Sequence, residues 1–229
     1  MLDSFILSPQ AYARLWEGTQ VTIIVFLLST ALGTILSLVF GVARLAPRRW
    51  IRTLASVYVE FARGVSAIIL LFWMFFALPP LLGVNISPLV AGVLALGINM
   101  GAYGAEVVRG GIQAVPVGQT EASIALNMTE RQRLSQVILP QAIPVILPPF
   151  GNLMIEILKG TALVSLITLS DLAFEVQKLR VNRVVISDSA TTPVLYINVL
   201  IIYFILAQIV TFVFGYFERR TVRSFGGVR

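Results

Sequence analysis

Three acid–base pairs, each spaced three residues apart, interrupt otherwise apolar stretches: Glu60 with Arg63, Glu106 with Arg109, and Glu156 with Lys159. Residues at this spacing share one helix face, so each pair can neutralise itself. It can equally present an anion and a cation side by side, which is the chemistry that recognises a zwitterion. A charge at the centre of a bilayer costs about 2.5–3.5 kcal/mol on insertion scales, so such groups pair or line a wet path. Glu106 and Arg109 fall near an expected membrane boundary, where long side chains reach the headgroups. Gly160 and Thr161 follow Lys159 and predict a loosened helix with exposed carbonyls, tolerated at depth only along a cavity. Glu60, Arg63, Glu156, Lys159, Thr161 and Ser165 are therefore the candidate path-lining residues. Phe72, Trp73, Phe75 and Phe76 can stack on a cationic or ring-shaped solute, or anchor the chain in lipid. There is no cysteine and no histidine, which excludes disulfides, Cys/His metal sites and His- or Cys-based catalysis.

The elements that carry these residues follow from the apolar pattern. The chain is 57% hydrophobic and 12% charged, against about 25% charged in soluble domains. No Asp, Glu, Lys or Arg occurs in 18–43, 64–105, 134–155 or 189–217. A spanning helix needs roughly 20 apolar residues. The stretch 64–105 is too long for one helix, and Pro79-Pro80 and Pro88 predict a reversal at 79–88. The expectation is an all-α integral membrane protein with about five spans, at 20–42, 55–78, 88–108, 142–169 and 194–217. Residues 1–17 form a short segment before the first span, with an early Asp and Pro and no signal-peptide pattern. Gly97 and Gly101 in span three predict close helix contact.

Arginine placement sets the orientation. Arg44, Arg48, Arg49, Arg52, Arg109, Arg131, Arg133, Arg219, Arg220, Arg223 and Arg229 fall on one side of this topology. They outnumber Arg14, Lys178, Arg180 and Arg183 on the other, so the first side is cytoplasmic. The N-terminus is then outside, and residues 218–229 form a basic cytoplasmic tail. The net charge of +6 reads as a topology signal and argues against a nucleic-acid partner.

Between spans three and four lies the longest polar segment, 109–141. Pro116 and Gly118 open it, and 120–126 reads as a short helix ended by Asn127, a residue that tolerates the left-handed conformation. Thr129 with Gln132 fits a capping box that starts a second helix, which Pro140 is expected to stop. Ala122, Ala125, Leu134, Val137 and Ile138 are expected to face the membrane domain. Glu121, Glu130, Arg131 and Arg133 remain for water or a partner.

This segment resembles the cytoplasmic loop of bacterial ABC importer permeases: Glu-Ala-Ala, three residues, Gly, nine residues, Ile, one residue, Leu-Pro. The matching residues are Glu121-Ala122-Ser123, Asn127, Val137 and Leu139-Pro140, with Ser and Asn replacing the third Ala and the Gly. The resemblance runs from about 18 to 217. Gly101-Ala102-Tyr103, Glu106 and 109–113 look like the polar amino-acid permeases, as do 138–142 and 148–152. Leu126-Asn127-Met128 and Leu158 to Ser165 look most like the ectoine/hydroxyectoine branch. Arg63-Gly64-Val65-Ser66 departs from the family's Arg-Gly-Thr-Pro.

The resemblance implies a type-I permease in a bacterial plasma membrane. Two such chains, identical or sister, would form the pathway for a small polar or zwitterionic solute. A cytoplasmic ATPase dimer would bind ATP and Mg and grip Glu121, Ala122, Ser123, Asn127, Leu139 and Pro140, moving them as a rigid body. An extracytoplasmic binding protein would deliver the solute. The chain itself carries no phosphate-binding Gly-Lys-Ser/Thr loop and is expected to need no cofactor. A self-contained secondary transporter or channel would show an inverted repeat, which the sequence lacks. A membrane enzyme would need a nucleophile or metal cluster.

Overall fold

The computed structural model describes residues 7–181 and 192–225, so Arg183, Arg229 and the first six residues lie outside the described residues. The described elements are helical: α1 (Pro9–Ala43), α2 (Arg49–Gly64), α3 (Ala67–Phe72), α4 (Leu78–Leu82), α5 (Pro88–Gln113), α6 (Val117–Ala125), α7 (Glu130–Gln132), α8 (Leu139–Gly160), α9 (Leu172–Val181) and α10 (Thr192–Phe225). Among the described residues, Pro9–Ala43, Pro88–Gln113, Glu130–Ile167 and Thr192–Thr221 are each long and apolar enough to cross a membrane. Arg49–Gly64 with Ala67–Leu82 makes a fifth candidate, bent by 103°.

Three expectations change. The first helix starts at Pro9, inside the segment expected to precede span one. Span two is not one helix from 55 to 78, because the chain breaks between Gly64 and Ala67. Pro140 does not stop a helix either: a π-helical turn, Arg133–Ile138, leads directly into α8. The physical reason is local. A proline ring clashes with the carbonyl four residues back, and a π turn widens the backbone so that the bond shifts to i→i+5. Leu139 N–H accordingly donates to Leu134 O just before Pro140. Leu78 N–H does the same to Trp73 O before Pro79, closing the π turn Trp73–Ala77. The reversal expected at 79–88 is present, with α4 ending on left-handed Gly83 (φ 65°) and α5 starting at Pro88.

The contacts divide into two compact units. The first comprises 1–32, 65–97 and 156–209. Its core joins Leu15 of α1 with Leu172, Val176 and Leu179 of α9 and Leu195 of α10. A Cβ at Gly18 would lie 2.9 Å from both Asp171 O and Leu172 Cα, so α1 passes directly against the start of α9. Thr22 Oγ1 accepts from Leu172 N there, at 3.1 Å. The second unit comprises 33–64, 98–155 and 210–229. In it, a Cβ at Gly101 would come within 2.6 Å of Leu36, and one at Gly104 would overlap the Ser37 side chain. The close contact predicted for Gly101 is therefore a real packing requirement, and Gly97 meets Leu32 in the same way within the first unit.

Candidate functional site

The polar segment folds as two short helices joined by a capped turn. α6 follows Pro116, and its end is closed by a Schellman arrangement: Met128 N–H donates to Ser123 O (3.1 Å) and Asn127 N–H to Ile124 O (2.9 Å). This needs a left-handed residue, and Asn127 supplies it at φ 54°. The chain restarts at once with the predicted capping box. Gln132 N–H donates to Thr129 Oγ1 (3.4 Å), and Thr129 N–H donates to Gln132 Oε1 (3.0 Å). Ile138, Ala142 and Val115 pack together with Leu134 and Val137, as the apolar spacing predicted.

α6 presents a different face from the one expected. Ala122 and Ala125 are exposed, while Ser123 is buried and its hydroxyl donates to Thr120 O at 2.7 Å. Glu121 is exposed among Val117 (71%), Ile124 (55%) and Leu126 (75%). α6 thus turns an acidic residue outward with Val117 and Ile124 on the helix and Leu126 at its C-cap. Leu139 and Pro140 are half-buried. A cleft of about 560 Å³ opens beside the second helix, lined by Ala46, Pro47, Val115, Thr120, Glu130 and Arg133.

The first two charge pairs do not behave alike. Glu106 and Arg109 pair as their spacing predicted, at 2.7 Å. Glu60 and Arg63 turn to other partners: Glu60 to Arg44 (3.8 Å) and Arg63 to Glu106 (3.8 Å). Arg44 also pairs with Glu106. Glu106 thus holds three guanidiniums, from the end of α1, from α2 and from α5. Sequence spacing could not reveal Arg44, which sits sixty-two residues before Glu106. The broken end of α2 is closed from α5 as well. Asn99 Nδ2 donates to Ala62 O (3.1 Å) and Tyr103 Oη to Arg63 O (3.4 Å). Arg63 lies over the Tyr103 ring at 5.3 Å. Side chains from α5 therefore satisfy carbonyls that the helix end leaves without partners.

The remaining candidate path residues separate by exposure. Glu156 and Lys159 are exposed, and among the described residues no ion pair joins them. Ile157 (6%) and Leu158 (1%) between them are buried. Thr161 and Ser165 are buried, with hydroxyls donating to Leu158 O (2.7 Å) and Ala162 O (2.8 Å). The loosening expected after Gly160 is instead a tightening, for Thr161–Ile167 is a 3₁₀ helix. It ends on Thr168 at φ 61°, a conformation unfavourable for a β-branched residue. Trp73 (46%) and Phe76 (59%) are exposed, and Phe76 meets Phe72 and Phe75 edge to face.

Asp171 carries chemistry that the sequence reading missed. It caps α9, Oδ1 accepting from Phe174 N at 3.0 Å, and it is fully buried. Its Oδ2 has no partner among the described residues. Burial pushes the carboxyl up from 3.8 to about 7, and the nearby Glu175 adds to the rise. Four long apolar helices and a bent pair, interrupted by an exposed, doubly capped helix turn, define a multi-span membrane component.

Comparison with known proteins places that class. Residues 33–223 match the family model described as "Binding-protein-dependent transport system inner membrane component". A probable amino-acid ABC transporter permease protein of Sinorhizobium fredii (strain NBRC 101917 / NGR234) is 45% identical, covering 91% of this chain and 87% of its own length. The L-cystine transport system permease protein TcyB of Bacillus subtilis (strain 168) is 36% identical over 90% of this chain and 86% of its own. A crystal structure of an amino acid ABC transporter with histidines superposes with a TM-score of 0.81 at 33% identity, covering 92% of this chain and 95% of the other. The chain belongs to the binding-protein-dependent transport family, as an inner-membrane permease component of ABC type.

Proposed function

We propose that the chain is the permease subunit of an ATP-driven importer for an amino acid or a similar zwitterionic solute. The observation that carries the coupling is the outward face of α6, where Glu121 stands among exposed aliphatics on the helix that the Schellman turn closes. A cytoplasmic ATPase dimer holds Glu121, Ala122, Ser123, Asn127, Leu139 and Pro140 and supplies the ATP and Mg, so this chain hydrolyses nothing. The N-terminus lies outside and the basic C-terminus lies in the cytoplasm, as the arginine distribution favours. A second permease chain completes the path, and an external binding protein loads it. Relatives named as amino-acid and cystine permeases support the solute class.

Within the path, the exposed pair Glu156 and Lys159 meets the ammonium and carboxylate of the solute, and Glu60 and Arg63 lie on the cytoplasmic side. Thr161 and Ser165 hold the helix that carries the pair. Ectoine is the second reading, favoured by Leu126-Asn127-Met128 and the run from Leu158 to Ser165. Ligand screening of the cognate binding protein decides between them: tight binding of an amino acid supports the first, and tight binding of ectoine alone supports the second. Lys159→Met in reconstituted complexes should raise the KM for solute or lower turnover. Unchanged values for both would remove Lys159 from the path. Uptake that persists without the ATPase would instead support a self-contained transporter.

A further inference from the structure

The charge cluster at the broken end of α2 is out of balance. Among the described residues, its ion pairs join three guanidiniums, those of Arg44, Arg63 and Arg109, to two carboxylates, those of Glu60 and Glu106. The surplus positive charge falls to the arm with the weakest hold. Glu106 Oε2 accepts from Nε (3.1 Å) and Nη2 (2.7 Å) of Arg109, and Oε1 pairs with Arg44. Arg63 reaches the same Oε1 only at 3.8 Å, too long for a hydrogen bond. Its side chain is 41% exposed, whereas those of Arg44 and Glu106 are largely covered. Tyr103 sets its stance, with the guanidinium over the ring at 5.3 Å and the hydroxyl donating to the Arg63 carbonyl at 3.4 Å. A guanidinium stacked on a ring keeps its edge of N–H donors open, and that edge matches a carboxylate in two parallel hydrogen bonds. Glu106 shows the chemistry that the cluster accepts: one carboxylate among convergent guanidiniums.

We propose that Arg63, backed by the charge of Arg44 and Arg109, is a carboxylate site on the cytoplasmic half of the path, and that it takes the carboxylate of the departing solute. The inference rests on the importer reading above and deepens it, adding an exit site and the group that holds the solute there. Glu106 keeps Arg44 and Arg109 engaged, so an arriving carboxylate competes only for Arg63 and breaks no close ion pair. Glu60, three residues before Arg63 and 72% exposed, meets the ammonium end. Arg63 is open to water, so its hold is loose and the solute leaves readily. A solute without a carboxylate gains nothing from the surplus charge.

A thiol placed beside Arg63 reads this charge. A Cβ at Gly64 would meet nothing within 4 Å, and the chain has no native cysteine, so Gly64→Cys gives one reporter. The complex with its ATPase, in phosphatidylcholine nanodiscs, is treated with an anionic sulfonatoethyl or a cationic trimethylammonioethyl methanethiosulfonate, and the mass shift of this chain is followed. Relative to a free thiol, the anionic reagent should be favoured roughly tenfold. Adding Arg63→Gln should abolish that preference, and adding Glu106→Gln should increase it. At constant ionic strength propionate should slow the anionic reagent, while propionamide, of the same shape, should not. An unreactive thiol, no preference, a preference that survives Arg63→Gln, or equal protection by both probes overturns the carboxylate site. If phosphatidylglycerol in the nanodisc removes the preference and propionate does not, the occupant is a lipid phosphate and the solute assignment falls. In reconstituted complexes Arg63→Gln should lower turnover while the KM for loaded binding protein stays the same, and unchanged turnover overturns the exit role. Any of these failures with uptake still dependent on ATP and the ATPase leaves the importer reading intact, whereas uptake without the ATPase defeats that reading itself.

Discussion

Asn127 and Thr168 occupy the same left-handed region for opposite reasons. Asn tolerates it and completes a hydrogen-bonded helix end, while a β-branched residue is held there at roughly 1–3 kcal/mol. Thr168→Gly should therefore raise the melting temperature of the purified complex, by the equivalent of about 1 kcal/mol. Asn127→Gly should leave assembly with the ATPase unchanged, while Asn127→Val should weaken it more than tenfold in pull-downs. Asp171 gives a pH signature. Its folded-state value of about 7 lies above its ordinary 3.8 because of burial, so the folded chain keeps a proton that the unfolded chain releases. Stability should then fall as pH rises from about 4 to about 7. Melting temperatures across that range test this, and Asp171→Asn should flatten the slope.

At the scale of elements, the short-range signals were legible and the long-range ones were not. Thr129 with Gln132 specified a capping box, and Asn127 a helix end, because both devices use partners within a few residues. Pro140 misled, because a π turn lets a helix pass a proline when neighbouring helices support it. The Glu60–Arg63 spacing misled for a related reason. Glu106 with three guanidiniums around it offered stronger partners than the near neighbour. Glu106→Gln leaves those guanidiniums facing one another and should lower thermal stability clearly. Glu60→Gln should change it little, because Glu60 is 72% exposed and loses only a solvated pair. Asn99→Ala strips the carbonyl of Ala62 at the broken end of α2, a loss of about 1–3 kcal/mol. Thermal melts of the three variants should rank Glu60→Gln as mildest.

For the whole molecule, hydropathy carried the membrane class, since lipid demands long uncharged helices regardless of detail. The break between Gly64 and Ala67 lay beyond that signal, because α2 is amphipathic and reads as the start of a span. What the exposed surfaces add is a division of labour. In the proposed importer, the exposed charges of α8 serve the solute and the exposed acidic face of α6 serves the ATPase. The two are linked through the continuous run from the capping box at Thr129, through the π turn, to Glu156 and Lys159.

The most direct test of the coupling is Glu121→Arg in proteoliposomes containing permease, ATPase and loaded binding protein. Solute uptake driven by ATP should fall by at least tenfold, through loss of the bound ATPase or through hydrolysis without transport. The affinity of the binding protein for solute should stay unchanged. Uptake at the wild-type rate with the same ATP requirement would contradict the assignment of α6 as the coupling element.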